Sequence, residues 1–314
     1  MPATFEVPVF SPAAARVAVA HGATRLELNR AGSYAVGGLT PTRAEVEAAA
    51  AAVAASAVPL RVMIRPRGAP AAALEGCPAE PDFVYTDDEL RQMRQAIDDF
   101  ASSGLLDATR GDGFVFGVLR KEVSKESGDG GGGGGSGGGD GDRFAIDVDR
   151  NRELVAAARP YACVFHRAFD PVVADAAATN ATGRVEAALA VLRDECGFVG
   201  VLTAGGMGTR GAVDHANTLQ RLVKAGAADV ADATDGVRAT ESRRIEIIVG
   251  GGVRSRNLAK LVRAVFTGME ASPPSVSFHA SCLDAAAATQ SGAAGEAIDG
   301  EEVARIVQVL DALT

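Results

Sequence analysis

Eight short runs of β-branched and aromatic residues alternate with helical patterns along this 314-residue chain. Such an alternation is typical of repeated strand–helix units that build a parallel sheet. The predicted strands cover residues 5–9, 25–28, 60–64, 113–119, 162–168, 198–203, 245–249 and 276–280. Their number and the chain length predict an α/β fold, a single closed (β/α)₈ TIM-like barrel domain over residues 1–314. An open doubly wound sheet is the alternative, since strand order cannot be deduced from sequence.

A glycine-rich stretch between Gly128 and Gly141 interrupts the pattern. Glycine has no side chain to bury and loses the most backbone freedom on ordering. The same strand–helix rhythm continues on both sides of the stretch. We therefore predict a flexible insertion at about 120–143 in one loop, and not a linker between domains. Further disordered insertions are predicted at 68–82 and 225–244.

Composition excludes several classes of protein. The net charge of −9 argues against a nucleic-acid partner and against an anionic membrane surface, because both require basic patches. The longest apolar run, 48–55, is too short for a membrane span, and the N-terminus does not resemble a signal peptide. The four cysteines form no CxxC pair, so neither a disulfide framework nor a thiolate zinc site is indicated. We expect a cytoplasmic protein.

Polar residues concentrate at the carboxyl ends of the predicted strands, where barrels carry their functional groups. Because strand side chains alternate, Glu27, Arg65 and His166 are expected to face the barrel mouth while Leu28 and Phe165 face the helices. The remaining candidates in these segments are Glu6, Arg67, Arg167, Asp170, His279 and Ser281.

Glycines follow the sixth and seventh predicted strands, as Gly205 with Gly206 and as Gly251 with Gly252, the latter pair close to Arg254. The backbone amides of such loops often bind phosphate, although a tight turn also requires glycine. Residues 206–211 match GxGxxG, but no second strand ending in an acidic residue follows. No nucleotide cofactor is therefore expected.

A mouth that combines carboxylates, guanidinium groups and imidazoles suits a small anionic ligand, phosphorylated or carboxylated. His166 is then the candidate general acid or base, with Glu27 or Asp170 as its partner, while Arg65 and Arg67 hold the anion. Two alternatives stay open. Glu6 and Glu27 can instead pair with Arg65 or Arg167 to neutralise buried charge, and the barrel can lack enzymatic activity.

Nine segments together resemble the CutC family of copper homeostasis proteins. They are FEVPVFS (5–11), RLELN (25–29), GGLTPT (37–42), MIRPRG (63–68), FVFGVL (114–119), FHRAFD (165–170), LTAGG (202–206), GGGVR (250–254) and FHAS (278–281). The resemblance runs in order over nearly the whole chain. It implies a TIM-like barrel, a cytoplasmic homo-oligomer, and a role in copper homeostasis or copper binding.

This chain departs from the family pattern at two positions important for copper. Family members typically carry cysteines where Pro8 and Asn29 stand here. Cu(I) prefers soft thiolate and thioether ligands, which neither residue offers. Copper is therefore implied as a cofactor by resemblance but is not supported by these residues, and the metal ligands are not assigned. Met63, His166 and His279 are the remaining candidates for a soft or borderline site at the mouth.

Overall fold

A computed structural model of the chain describes residues 4–69, 81–122, 143–178, 183–207, 211–227, 244–267, 276–284 and 296–313. It contains the strands β1 (Thr4–Val9), β2 (Arg25–Leu28), β3 (Leu60–Met63), β4 (Gly113–Phe116), β5 (Leu119–Lys121), β6 (Phe144–Ile146), β7 (Ala162–Phe165), β8 (Gly200–Thr203), β9 (Glu246–Val249) and β10 (Val276–His279). Eight of these correspond to the eight strands predicted from the sequence.

The eight strands form a closed parallel barrel in the order β1-β10-β9-β8-β7-β4-β3-β2. β1 pairs with both β2 and β10, so the sheet closes on itself. This closure confirms the predicted TIM-like barrel and excludes the open doubly wound sheet.

Nine α-helices are present in the described ranges. They are α1 (Pro12–Ala20), α2 (Arg43–Val53), α3 (Asp87–Ser102), α4 (Val148–Ala157), α5 (Phe169–Ala178), α6 (Arg184–Ala190), α7 (Ala216–Ala227), α8 (Ser255–Phe266) and α9 (Gly300–Asp311). In α3, Thr86 and Glu89 form a capping box, and Met93, Ile97 and Phe100 repeat at helical spacing to make its buried face. Of the helices described, none has the length and apolar character needed to cross a membrane.

The loop after β4 contains a feature that the sequence analysis missed. Leu119–Lys121 and Phe144–Ile146 pair as an antiparallel two-stranded sheet, with Leu119 opposite Ile146. The predicted strand 113–119 is therefore divided in two, and the edges of the predicted insertion at 120–143 belong to this hairpin. Strands of three residues carry too little pattern to be recognised. The glycine-rich stretch itself lies outside the described residues, as do most of 68–82 and 225–244.

The buried residues form two layers. Between the barrel and the helices, Leu28, Ile64 and Phe165 belong to a large apolar core, as strand alternation predicts. Inside the barrel, a smaller apolar cluster comes from β3, β4, β7, β8 and β9; its members are Met63, Val115, Val164, Leu202 and Ile248. The interior near β1, β2 and β10 is polar instead, and this half positions the site.

Candidate functional site

A cavity of about 570 Å³ lies at the mouth of the barrel. Most of the candidate residues line it: Glu27, Arg65, His166, Arg167, Asp170, Gly251, Gly252, Arg254, His279 and Ser281. Met63, Pro8 and Asn29 also contribute to its wall. The remaining four candidates, Glu6, Arg67, Gly205 and Gly206, lie outside this lining.

Glu6 is buried beneath the cavity, at the centre of an ion-pair network. Its Oε2 accepts a hydrogen bond from Arg25 Nε at 2.5 Å, and its Oε1 lies 2.8 Å from His279 Nδ1. Arg25 and Arg61 also contact Glu246, at 2.9 and 3.4 Å. Burial alone would raise the pKa of Glu6, but the charges of Arg25 and Arg61 and the contact with His279 together outweigh burial and hold that pKa well below its ordinary value.

The expectation that Glu6 and Glu27 pair with Arg65 or Arg167 is wrong. Strand register decides the partners, since Glu6 aligns with Arg25 on β2 and with His279 on β10. Arg65 binds Asp82, in the segment before α3, and Arg167 binds Asp170, in the first turn of α5. The partners of Glu6 therefore come from the neighbouring strands and not from Arg65 or Arg167.

Glu27 lies at the bottom of the cavity beside Asn29. Asn29 Nδ2 donates to Glu27 Oε1 at 3.1 Å. Glu27 Oε2 and Asn29 Oδ1 are both buried, and neither has a hydrogen-bond partner among the residues described. Burial raises the pKa of Glu27, with the charge of Glu6 adding to the effect. Burial by itself would lower the pKa of His279, but the hydrogen bond to Glu6 and the charges of Glu27 and Glu6 together raise it.

Arg65 fastens the loop after β2 to the mouth. Its Nη1 donates to the carbonyls of Val36 and Gly38, at 2.5 and 3.0 Å, and its Nη2 donates to Asp82 at 2.9 Å. The guanidinium group also lies 5.1 Å from the centre of the Phe83 ring. Both Nη atoms of Arg65 therefore bind groups of the protein itself, although the side chain forms part of the cavity wall.

Arg67 turns away from the cavity. Its Nε donates to Glu89 at 2.5 Å and its Nη2 to the Val84 carbonyl at 2.7 Å. These contacts fix the segment before α3. The role proposed from the sequence, holding an anion at the mouth, has no geometric support at this position.

His166 is almost fully buried against Phe83, with ring centres 4.7 Å apart. The backbone N–H of Ala168 donates to His166 Nδ1 at 3.3 Å, so in the neutral ring the proton is carried by Nε2. Burial and the charge of Arg65 lower the pKa of His166 to about 3. This environment favours a neutral hydrogen-bond donor over a group that exchanges a proton near pH 7.

Asp170 connects α5 to the loop after β8. Its Oδ1 accepts hydrogen bonds from Thr203 Oγ1 at 2.6 Å and from the Ala204 N–H at 2.9 Å. Its Oδ2 accepts from Arg167 Nε at 2.7 Å. The Gly205 N–H donates to Thr203 Oγ1 at 2.9 Å. The amides of Ala204 and Gly205 are thus used to shape the loop.

The glycine pairs have clear conformational roles. Gly205 has φ +82° and Gly251 has φ +91°, values that favour glycine. A Cβ at Gly206 would collide with the His215 ring at 2.8 Å. Gly251 and Gly252 lie on the cavity wall next to Arg254, whose Nη2 donates to Ser281 Oγ at 3.1 Å. Arg254 and Ser281 therefore present polar groups at the side of the mouth formed after β9 and β10.

The thiols described by the structure are poor metal ligands. Cys163, Cys196 and Cys282 are buried and free, and burial raises the pKa of each to about 12. Thiols bind metals as thiolates, so these three residues do not fit a Cu(I) site. Cys77 lies outside the described ranges. Pro8 and Asn29 offer no sulfur at the mouth.

Sequence reasoning missed Arg25, Arg61 and Glu246, which complete the network around Glu6. A usable signal was present for the first two. Arg25 and Arg61 stand two positions before Glu27 and Met63 on the same strands, so alternation places all four side chains inside the barrel. Asp82 gave no such signal, because it follows an inserted segment without periodicity.

The comparisons with known proteins agree on one family. The CutC family model matches residues 3–126 and 137–272. A CutC family protein of Caulobacter vibrioides is 31% identical over 258 residues, which cover 82% of this chain and 76% of that protein. One of Streptococcus pyogenes is 28% identical over 237 residues, 76% of this chain and 83% of that protein.

A solved structure supports the fold independently. CutC from Streptococcus agalactiae, whose description assigns it provisionally to copper homeostasis, superposes with a TM-score of 0.58 at 21% identity. The match covers 88% of this chain and 98% of the other. At this level of identity the match concerns the fold alone.

Proposed function

Because the chain belongs to the CutC family, we propose that it acts in copper homeostasis, with the cavity at the barrel mouth as its functional site. The family match over residues 3–126 and 137–272 is the observation that carries this proposal. The relatives in Caulobacter vibrioides and Streptococcus pyogenes, which are also CutC family proteins, support it. A cytoplasmic location and a homo-oligomer belong to the same proposal, and light scattering on purified protein tests the oligomer.

The chemistry of the donors limits how copper can be involved. Cu(I) prefers soft ligands, whereas most polar groups at the mouth are carboxylates, an amide, guanidinium groups and imidazoles. Two thioethers also line the cavity, but Met63 belongs to the apolar cluster of the barrel interior and Met207 is exposed. We therefore assign no Cu(I) ligands among the described residues. The proposed role is copper tolerance, and it does not involve a copper ion bound by these residues.

A growth assay tests this proposal. The chain is expressed in a bacterium made copper-sensitive by deletion of its own CutC family gene, and growth is measured against copper concentration. We expect the wild-type chain to restore tolerance and Glu27→Gln to restore less. Glu153→Gln, which changes an exposed ion-pair residue of α4 that does not line the cavity, serves as the matched control. Full tolerance with the Glu27 variant, at equal protein level, contradicts a role for the cavity.

A second candidate function, conversion of a small anionic ligand, rests on the two sides of the same cavity. Arg254 and Ser281 offer donors on one side, while a neutral His166 and the unpartnered Glu27 Oε2 lie in the wall and at the bottom. Such an arrangement suits a carboxylate or phosphate group held by these donors beside Glu27, the acid–base candidate whose pKa is raised.

Ligand-induced stabilisation tests this second candidate. The melting temperature is measured with a panel of phosphorylated and carboxylated metabolites. A true ligand raises it for the wild type and for Arg94→Ala, an exposed control on α3, but not for Arg254→Ala. If the ligand still raises the melting temperature of Arg254→Ala, it binds elsewhere on the protein.

A further inference from the structure

Three side chains on three adjacent strands converge at the bottom of the mouth cavity: Glu6 on β1, Glu27 on β2 and His279 on β10. One potential ligand atom from each lies within 4.8 Å of the other two. Parallel strand order and register bring them together, since β1 lies between β2 and β10. Oxygen and imidazole donors at this spacing suit a divalent cation of the first transition series.

The distance between Glu6 and His279 fits a shared cation. Glu6 Oε1 and His279 Nδ1 are 2.8 Å apart and share a proton in the metal-free protein. Two ligand atoms bound to one cation at about 2.1 Å, at a right or tetrahedral angle, are themselves about 3 to 3.4 Å apart. A cation can therefore replace the proton with only a small movement of either side chain.

A second observation points to a ligand independently of this spacing. Glu27 is 4% exposed and Asn29 is 1% exposed, and each has a buried oxygen without a hydrogen-bond partner in the described part of the chain. Leaving a buried polar atom unpaired is costly, so such atoms commonly mark the position of an ion, water or ligand. Asn29 Nδ2 holds the other Glu27 oxygen, which leaves Oε2 available for coordination.

The distribution of cationic partners in the network also favours a cation at Glu27. Three carboxylates, Glu6, Glu27 and Glu246, share two guanidinium groups and the imidazole of His279. The guanidinium groups contact Glu6 and Glu246, and within the described residues Glu27 forms no ion pair with Arg or Lys. Glu27 is thus the carboxyl group that a cation can still bind, next to the cavity through which an ion enters.

We propose that Glu6, Glu27 and His279 form a binding site for a divalent transition-metal cation, of the class of Mn²⁺ or Zn²⁺. Asn29 acts as a positioning residue that fixes one oxygen of Glu27. Arg25 occupies the outer oxygen of Glu6 and keeps its carboxylate oriented toward His279. This site is distinct from a thiolate Cu(I) site and does not depend on the copper role proposed above.

Titration of the full-length protein with Mn²⁺, followed by the loss of the free Mn²⁺ signal in electron paramagnetic resonance, tests the site. We expect one equivalent bound by the wild type and by Glu153→Gln, and at least tenfold weaker binding by Glu27→Gln. His279→Gln provides the second variant if Glu27→Gln does not fold, and it should also lose the nitrogen coupling in the spectrum of bound Mn²⁺.

Competition between Mn²⁺ and other metal ions identifies the type of ligand atoms in the site. Zn²⁺ should displace Mn²⁺ far more effectively than Mg²⁺, because Mg²⁺ prefers oxygen ligands and keeps its water. Absence of stoichiometric binding, unchanged binding in a folded Glu27 or His279 variant, or equal displacement by Mg²⁺ would each overturn the proposal. Copper tolerance is measured separately, so failure of either proposal is recognised on its own.

Discussion

Glu6 Oε2 accepts a hydrogen bond from Arg25 Nε at 2.5 Å, with both side chains enclosed by the barrel. A buried ion pair contributes modestly to stability when it is intact, because desolvation offsets the attraction. Removing one partner is expensive, since the other charge stays buried without compensation. The relationship therefore leads to a clear expectation for mutagenesis.

Arg25→Met should destabilise the protein by about 3–5 kcal/mol, because Glu6 and Glu246 lose the nearer of the two cations that they share. Arg94→Met removes an exposed ion pair with Asp98 and should cost less than about 1 kcal/mol. Urea unfolding of the two variants measures the difference. Similar stabilities would mean that the Arg25 network is open to water.

Arg65→Ala should destabilise the fold by about 2–4 kcal/mol and loosen the loop after β2, because the Val36 and Gly38 carbonyls and Asp82 all lose a donor. Hydrogen exchange over residues 30–39, together with a thermal melt, measures both effects. Arg254→Ala, which loses the contact to Ser281, is the control and should leave that loop protected. If the Arg65 variant is as stable as the wild type and its loop exchanges no faster, Arg65 does not hold the mouth together. Its role would then be ligand binding.

His166 should make stability depend on pH in a defined window. Its pKa is lowered from 6.5 to about 3, so the unfolded chain binds a proton on this ring as the pH falls while the folded protein does not. The contribution of the neutral ring is full above pH 6.5 and is lost progressively between pH 6.5 and 3.

His166→Asn removes the titrating ring and keeps an acceptor for the Ala168 N–H. The difference in unfolding free energy between wild type and variant should shrink by up to about 1.4 kcal/mol per pH unit as the pH falls through this window. Urea titrations from pH 7.5 to 4 measure it. A difference that stays constant would show that the His166 ring titrates in the folded state as it does in the unfolded chain.

The fold could be predicted from the sequence because its signals are local. Each strand of the barrel is a short apolar or alternating run followed by a helix, and the size of the barrel fixes how many units close it. The three-residue strands β5 and β6 could not be predicted in this way, since their pairing spans the glycine-rich stretch.

The site could be predicted only as a set of residues near the barrel mouth. Alternation along β2 and β3 places Glu27 and Arg65 correctly, yet it does not reveal which charges meet. The partner of Glu6 depends on the register between β1 and β2, and the partner of Arg65 depends on a loop residue, Asp82. Both partners are far away in the sequence, so the local sequence pattern does not reveal them.

The central claim is that the chemistry of this site resides in carboxylate, amide and imidazole groups and not in thiols. Competition between the reduced protein and a Cu(I) chelator tests it most directly, with a Cys163→Ala, Cys196→Ala, Cys282→Ala variant alongside. The account predicts that these three cysteines contribute no stoichiometric Cu(I) binding, so wild type and variant should behave alike. One equivalent of Cu(I) held tightly by the wild type and lost in the folded variant would contradict it.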